Sequence, residues 1–216
     1  MRNALEEIFR KAFFKKGLFY KKMTNYEGEK YREGDVATWL KKDGEEFLKE
    51  VGIKEGQNVL DFGCGEGHYA IPAAKLVGDN GKVFAVDKDE QPLHRLVQAA
   101  EERGLKNIEV IHTEPITSLE NDLVDFILCY DVVHYVKNRK PLYYELHRVL
   151  RKKGILSLYP KHLEDDYPLM ELASMKLDDV IKEVEETGFS LKERLSKRLI
   201  HDDYYNQGYI LNFEKV

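Results

Sequence analysis

Residues 59–67 read Val59-Leu60-Asp61-Phe62-Gly63-Cys64-Gly65-Glu66-Gly67, an apolar run that meets an aspartate and then opens into three alternating glycines. This order constrains the chain to bring the C-terminal end of a buried strand to a backbone bend. Glycines turn tightly and let main chain approach a ligand with no Cβ in the way. A helix after the bend points its free N–H groups at the same place. Twenty residues past Gly67, a second apolar run ends in an acid, Val83-Phe84-Ala85-Val86-Asp87. An acid there is placed to take both hydroxyls of a ribose, so the two strands together predict a nucleoside site.

The glycine spacing narrows the nucleoside. A dinucleotide site would show G-x-G-x-x-G, which from Gly63 requires glycine at position 68, where this chain has His68. Asp61 would repel a pyrophosphate and attract a ligand carrying an ammonium group. The stretch resembles motif I of the class I methyltransferases that use S-adenosylmethionine, a ligand with an amino acid end and a ribose but no phosphate. The resemblance implies Asp61 near the methionine amino group, Gly63, Cys64, Gly65 and Gly67 around the turn, and Asp87 with Lys88 at the ribose. It also implies Glu114-Pro115 at the adenine amino group, one methylene longer than the family's usual Gly-Asp-Ala. Cys129, near the end of the fourth strand, is placed beside the cofactor on the same grounds.

From residue 58 onward the chain alternates strand and helix signals. Strands are expected near 58–62, 82–87, 107–112, 124–130 and 154–160, and helices near 67–77, 90–103 and 139–151, with a short helical turn around 116–121. Such alternation implies right-handed βαβ units and a parallel sheet, an α/β class. Asp89 before Glu90 and Pro92, and Gly104 after Arg103, give the second of these helices its start and stop. A helix at about 177–187 ends at Gly188. Phe189–Leu195 and Gly208–Phe213 then alternate apolar and polar residues as antiparallel strands do. The resemblance implies that these elements form a Rossmann-like, doubly wound sheet of seven strands, mostly parallel, with an antiparallel C-terminal strand.

Ahead of residue 58, Leu5, Ile8, Phe9, Ala12 and Phe13 make a helical stripe, and Asp35 reads as the N-cap of a second helix carrying Val36, Trp39 and Leu40. The expected division is a helical lid over 1–35 and a cofactor-binding domain over 36–216. Residues 1–22 hold seven basic side chains against Glu6 and Glu7, a net +5, which leaves −10 on the remainder of a chain whose total is −5. An acidic body is a poor general nucleic-acid binder, because phosphate neutralisation supplies most non-specific affinity. No apolar stretch approaches the ~20 residues that span a bilayer. Met1–Glu7 carries acids and no apolar run, so no secretory signal is expected. Cys64 and Cys129 lie in core motifs without a C-x-x-C pair, which fits a reducing cytoplasm and argues against a disulfide or structural zinc. The N-terminal stripe is a candidate homodimer contact.

Methyl transfer from a sulfonium is a direct displacement in which the enzyme positions, desolvates and, where needed, deprotonates the acceptor. His134 and Tyr130, at the end of the fourth strand in Cys129-Tyr130-Asp131-Val132-Val133-His134-Tyr135, are the candidate catalytic residues. This text resembles the fourth motif of small-molecule enzymes. It lacks the Asn/Asp-Pro-Pro-aromatic signature of enzymes that methylate amino groups in nucleic acids, and the chain has no Pro-Cys pair. After the fifth strand, Tyr159-Pro160-Lys161-His162 stands where catechol-type relatives carry metal ligands, so no metal is expected. Tyr20, Tyr26, Tyr31, Tyr159, His162 and Tyr204 are candidate contacts to the acceptor. His68 and Tyr69 open the helix after the glycines, within reach of the cofactor. His201–Tyr205 reads as the connection between the last two strands. The expected activity is S-adenosylmethionine-dependent methylation of a small molecule. A protein or tRNA acceptor, a nucleotide-dependent oxidoreductase and a non-catalytic cofactor-binding module remain as alternatives.

Overall fold

The computed structural model describes residues 33–112 and 118–216. The stripe from Leu5 to Phe13, almost all of the 1–35 lid, Tyr20, Tyr26 and Tyr31, and Glu114-Pro115 lie outside the described residues.

The described chain opens with α1 (Glu33–Thr38), a π-helical turn (Trp39–Asp43) and α2 (Gly44–Val51). Asp35, expected to cap a helix, instead sits inside α1, where its carboxylate accepts the Tyr205 N–H at 3.3 Å. The single tryptophan, Trp39, is buried and donates its indole N–H to the His68 carbonyl at 2.7 Å. The helical corner is thereby pinned to the end of the glycine bend.

Strands and helices then alternate as far as β3: β1 (Asn58–Phe62), α3 (Ala70–Val77), β2 (Lys82–Asp87), α4 (Glu90–Glu102) and β3 (Ile108–His112), with β4 (Val124–Tyr130) the next described element. Then come α5 (Lys140–Val149), β5 (Leu150–Tyr159), α6 (Leu177–Glu185), β6 (Phe189–His201) and β7 (Tyr204–Lys215). The seven strands form one sheet in the order β3-β2-β1-β4-β5-β7-β6. Strands β1 to β5 pair in parallel, and β7 runs antiparallel between β5 and β6. The expected doubly wound sheet is therefore present. Both faces are covered, as a parallel sheet requires. Leu60, Ile127 and Leu158 face the side packed by Leu142, Leu146 and Val180. Val59, Phe126 and Leu128 face the side packed by Leu48, Ala73 and Leu96. Each such side chain, fully buried, contributes about 1.5–3 kcal/mol, which is why these short apolar runs settle in the centre of the sheet.

Three boundaries differ from expectation, each for a local reason. Helix α3 starts at Ala70, not near 67, because residues 65–69 are spent on turns after the glycines. Helix α5 ends at Val149, and β5 begins at once with Leu150 facing Val124. The next facing pair is Phe126 with Ile155, so the chain bulges around Lys153, whose φ is 62°. Last, β6 and β7 extend through His201 and Tyr204, leaving only Asp202 (φ 47°) and Asp203 (φ 70°) to turn. Two central residues in the left-handed region are what a tight hairpin with right-handed strand twist demands, and Asp tolerates that region better than most residues.

The order of winding reverses between β1 and β4, which opens a crevice beyond their C-terminal ends. Because β6 runs antiparallel to β7 and β7 antiparallel to β5, the Asp202-Asp203 tip arrives at that same end of the sheet.

Candidate functional site

The floor of the crevice is the glycine bend. Gly63 N and Cys64 N both donate to the Val86 carbonyl, at 2.8 and 3.1 Å, so β1 stays registered to β2 until the bend begins. Gly67 has φ 86° and lies against the core, where an added Cβ would stand 2.2 Å from Leu96 Cδ1. Gly65 (φ 52°) is the opposite case, since a Cβ there would meet nothing within 4 Å. The main chain at Gly65 thus borders open space.

Asp87 ends β2 beside this bend and is buried. One carboxylate oxygen accepts Gly65 N at 2.8 Å and the other accepts Asp89 N at 3.0 Å. A carboxylate offers roughly four lone-pair sites, so two remain for hydroxyl groups. Asp61 is buried on β1, facing Leu128 of β4 in the register. Burial, with the charge of Asp61 as a further cause, pushes both the Cys129 thiol and the Tyr130 phenol above their usual ranges.

Gly63, Cys64, Gly65 and Asp87 line a cavity of about 230 Å³, together with His68, Tyr69, Tyr130, Asp131 and the hairpin residues Ile200, Asp202 and Asp203. The hairpin is tied down over this cavity. The Tyr69 hydroxyl donates to the Ile200 carbonyl at 2.6 Å, and His68 Nδ1 stands 3.7 Å from Asp203 Oδ1. His201 Nδ1 meets Asp131 Oδ1 at 2.6 Å, with its Nε2 3.7 Å from Asp202 Oδ2. Asp131 itself follows β4 directly, in a left-handed conformation, φ 58°.

Sequence-predicted residues fall into groups. Asp61, Gly63, Cys64, Gly65, Gly67 and Asp87 come together at the bend. Lys88 follows Asp87 with a largely buried side chain 3.9 Å from Asp89, and its carbonyl accepts His112 Nε2–H at 2.7 Å. Cys129 lies apart from these. It is fully buried in the core cluster with Leu60 and Ile127, because alternation along β4 turns it away from the crevice that Tyr130 lines. Tyr130 borders the cavity, yet its hydroxyl is engaged with Ser157 Oγ at 2.6 Å. His134 is fully buried in the 3-10 turn Val133–Tyr135. Tyr159 and His162 line a second, more open cavity of about 450 Å³ between the segment after β5 and the outer hairpin. Tyr204 opens β7, one residue past the turn.

Three histidines converge behind the hairpin tip, with ring centroids of His134 and His162 4.8 Å apart, His162 and His201 5.2 Å, and His134 and His201 6.2 Å. They pack ring to ring, and among the described residues no group of three His, Cys, Asp or Glu has a metal-holding arrangement. Their titration is split. Burial, with the charge of His201, lowers His162 to about 4. Burial also pulls His201 down, but the Asp131 charge and hydrogen bond and the Asp202 charge outweigh it, so His201 lies above its ordinary value. The Asp131–His201 contact was missed from sequence because its partners are 70 positions apart. The available signal was an acid directly after a central strand, the same one that identified Asp87.

Against known proteins, the Methyltransferase domain family matches residues 53–206. A SAM dependent methyltransferase of Aquifex aeolicus superposes with a TM-score of 0.67 at 27% identity, over 85% of this chain and 100% of that one. A probable cobalt-precorrin-6B C(15)-methyltransferase (decarboxylating) of Saccharolobus solfataricus is 40% identical over 83 residues, 37% of this chain and 42% of the relative. A 23S rRNA (uracil(1939)-C(5))-methyltransferase of Acinetobacter baylyi is 29% identical over 99 residues, 40% of this chain and 21% of the relative. The chain thus spans less than half the length of either of these curated relatives.

Proposed function

The chain belongs to the methyltransferase-domain family, and we propose that it moves a methyl group from S-adenosylmethionine to a small-molecule acceptor. The observation that carries this reading is the cradle at the ends of β1 and β2: open space over Gly65, and Asp87 fixed by two main-chain N–H groups with capacity left for a ribose. The residues present fit the cofactor. Asp87 would hold the ribose, Gly63 and Gly65 would let the main chain approach, and buried Asp61 would favour the ammonium end. When bound, the cofactor supplies a methyl group on a positively charged sulfur. The chain's own part is to orient it, to exclude water with Tyr69, Tyr130 and the Ile200–Asp203 hairpin, and to receive the acceptor beside Asp131.

A small acceptor is favoured over a polyanion by charge. Among the described residues, Glu66, Asp87, Asp89, Asp131, Asp202 and Asp203 line the cavity, with Arg95 the one Lys or Arg beside them. A phosphate backbone would lose more at that rim than it gains. Among the described residues no helix is long and apolar enough to cross a membrane. The tyrosines of the segment ahead of Glu33 are retained as candidate acceptor contacts, and the 1–35 segment as a candidate lid and dimer contact.

The test uses methyl-labelled S-adenosylmethionine with the purified chain and three acceptor pools from source cells: small metabolites, total RNA and protein. Label entering the low-mass pool supports the proposal. Label entering RNA or protein overturns the small-molecule assignment.

A further inference from the structure

The acids around the crevice are not equivalent. Asp87 is held by main-chain donors whose charge never changes, whereas Asp131 is held by a side chain that titrates. Asp131 is also the acid placed across the glycine bend from Asp87, because β1 lies between β2 and β4 in the sheet. A ligand whose ribose sits on Asp87 and which extends over the bend brings its 5′ substituent toward the β4 end, where Asp131 and the hairpin close the cavity.

We infer that Asp131, oriented by His201, makes this cavity discriminate the sulfonium cofactor from its neutral thioether product. The inference rests on the reading of the cavity as the cofactor site. The two ligands differ by one methyl group and one positive charge, and a carboxylate responds to the charge. In a crevice walled by Tyr69, Tyr130 and Ile200 the effective dielectric is lower than in water and salt screening is weaker, so the attraction is larger than at an open surface. Once the methyl group has left, that attraction is gone, and the cavity holds the product less firmly than the precursor.

His201 sets the strength of the effect. The groups that face it are the Asp131 and Asp202 carboxylates, the rings of His134, His162 and Tyr159, and the Lys161 ammonium. When protonated, its imidazolium compensates the Asp131 charge from behind. As pH rises through its elevated pKa the compensation is lost, and preference for the sulfonium grows.

Calorimetry on the full chain with S-adenosylmethionine and S-adenosylhomocysteine, at one pH below and one above the His201 titration followed by NMR, reads this directly. The quantity is the ratio of the thioether Kd to the sulfonium Kd. The wild-type ratio should rise between the two pH values, and Asp131→Asn, which keeps a side chain suited to φ 58°, should lower it by about tenfold, through weaker sulfonium binding. His201→Gln should abolish the pH dependence while leaving a ratio above that of Asp131→Asn. A ratio unchanged in Asp131→Asn, or a wild-type ratio flat with pH, overturns the inference. The wild-type and His201→Gln measurements decide the matter even if Asp131→Asn does not fold. If wild type binds neither ligand, the cofactor reading itself has failed, a result distinct from loss of discrimination.

Discussion

Replacing Asp87 by alanine removes two structural contacts and one proposed ligand contact, and these separate by assay. The buried carboxylate accepts Gly65 N at 2.8 Å and Asp89 N at 3.0 Å, the two donor residues being partly open to solvent. Hydrogen bonds to a charged group contribute about 1.5–3 kcal/mol each when buried. In Asp87→Ala water can reach both amides in part, so we expect a combined stability loss of about 2 kcal/mol, not the full sum. For a chain of this size that corresponds to a fall in Tm of roughly 4–8 °C. Binding of S-adenosylhomocysteine loses the ribose hydrogen bonds in addition, about 1.5–3 kcal/mol, or roughly a 10- to 150-fold higher Kd. Scanning calorimetry reads the first effect, and titration calorimetry below the new Tm reads the second. An unchanged Kd in a folded Asp87→Ala protein would remove Asp87 from the ribose site. An unchanged Tm would refute its role in holding the bend.

Gly67→Ala forces a Cβ to 2.2 Å from Leu96 Cδ1 at φ 86°, whereas Gly65→Ala meets open space and carries backbone strain alone. Urea unfolding should show about 2–4 kcal/mol lost for the first and about 1–2 for the second, and equal losses would contradict the packing described. The histidine pair behind the hairpin should titrate in opposite senses by NMR, His201 above its ordinary value and His162 near about 4. The stability contributed by neutral, buried His162 is therefore present above pH 6.5 and lost as pH falls toward about 4. That contributed by His201 is full below pH 6.5 and lost as pH rises through its elevated value. Two coincident titrations near 6.5 would refute the arrangement.

The elements that sequence located well are those whose local signal and tertiary role agree. Strands β1, β2 and β4 are short apolar runs buried on both faces, with Asp61 next to the end of β1, Asp87 ending β2 and Tyr130 ending β4, and Asp61 with the glycines leaves one way to arrange the bend. Strand β5 starts earlier than its sequence suggests, because Leu150 continues the helical stripe of Leu142, Leu146 and Val149 yet pairs with Val124, a choice made by the sheet. The hairpin is longer than its sequence suggests, because Ser196-Lys197-Arg198 and His201-Asp202-Asp203-Tyr204 look like loop. What holds them extended is long-range: Tyr69 to the Ile200 carbonyl, and Asp131 to His201. The residues proposed to hold the cofactor are legible as two local signals, the 59–67 motif and the acid that ends β2. The acceptor side was not, since Tyr130 is engaged by Ser157, and the exposed edge of the crevice is formed by residues from β4 and β6 that no spacing rule connects.

The crevice over Gly63 and Gly65, between Asp61 and Asp87, is the place we propose for an adenosyl amino acid. Titration of the full chain with S-adenosylhomocysteine and, separately, NADH tests it most directly. Saturable binding of the first at about micromolar Kd and no heat from the second are expected. Binding of NADH with no binding of the thioether would contradict it.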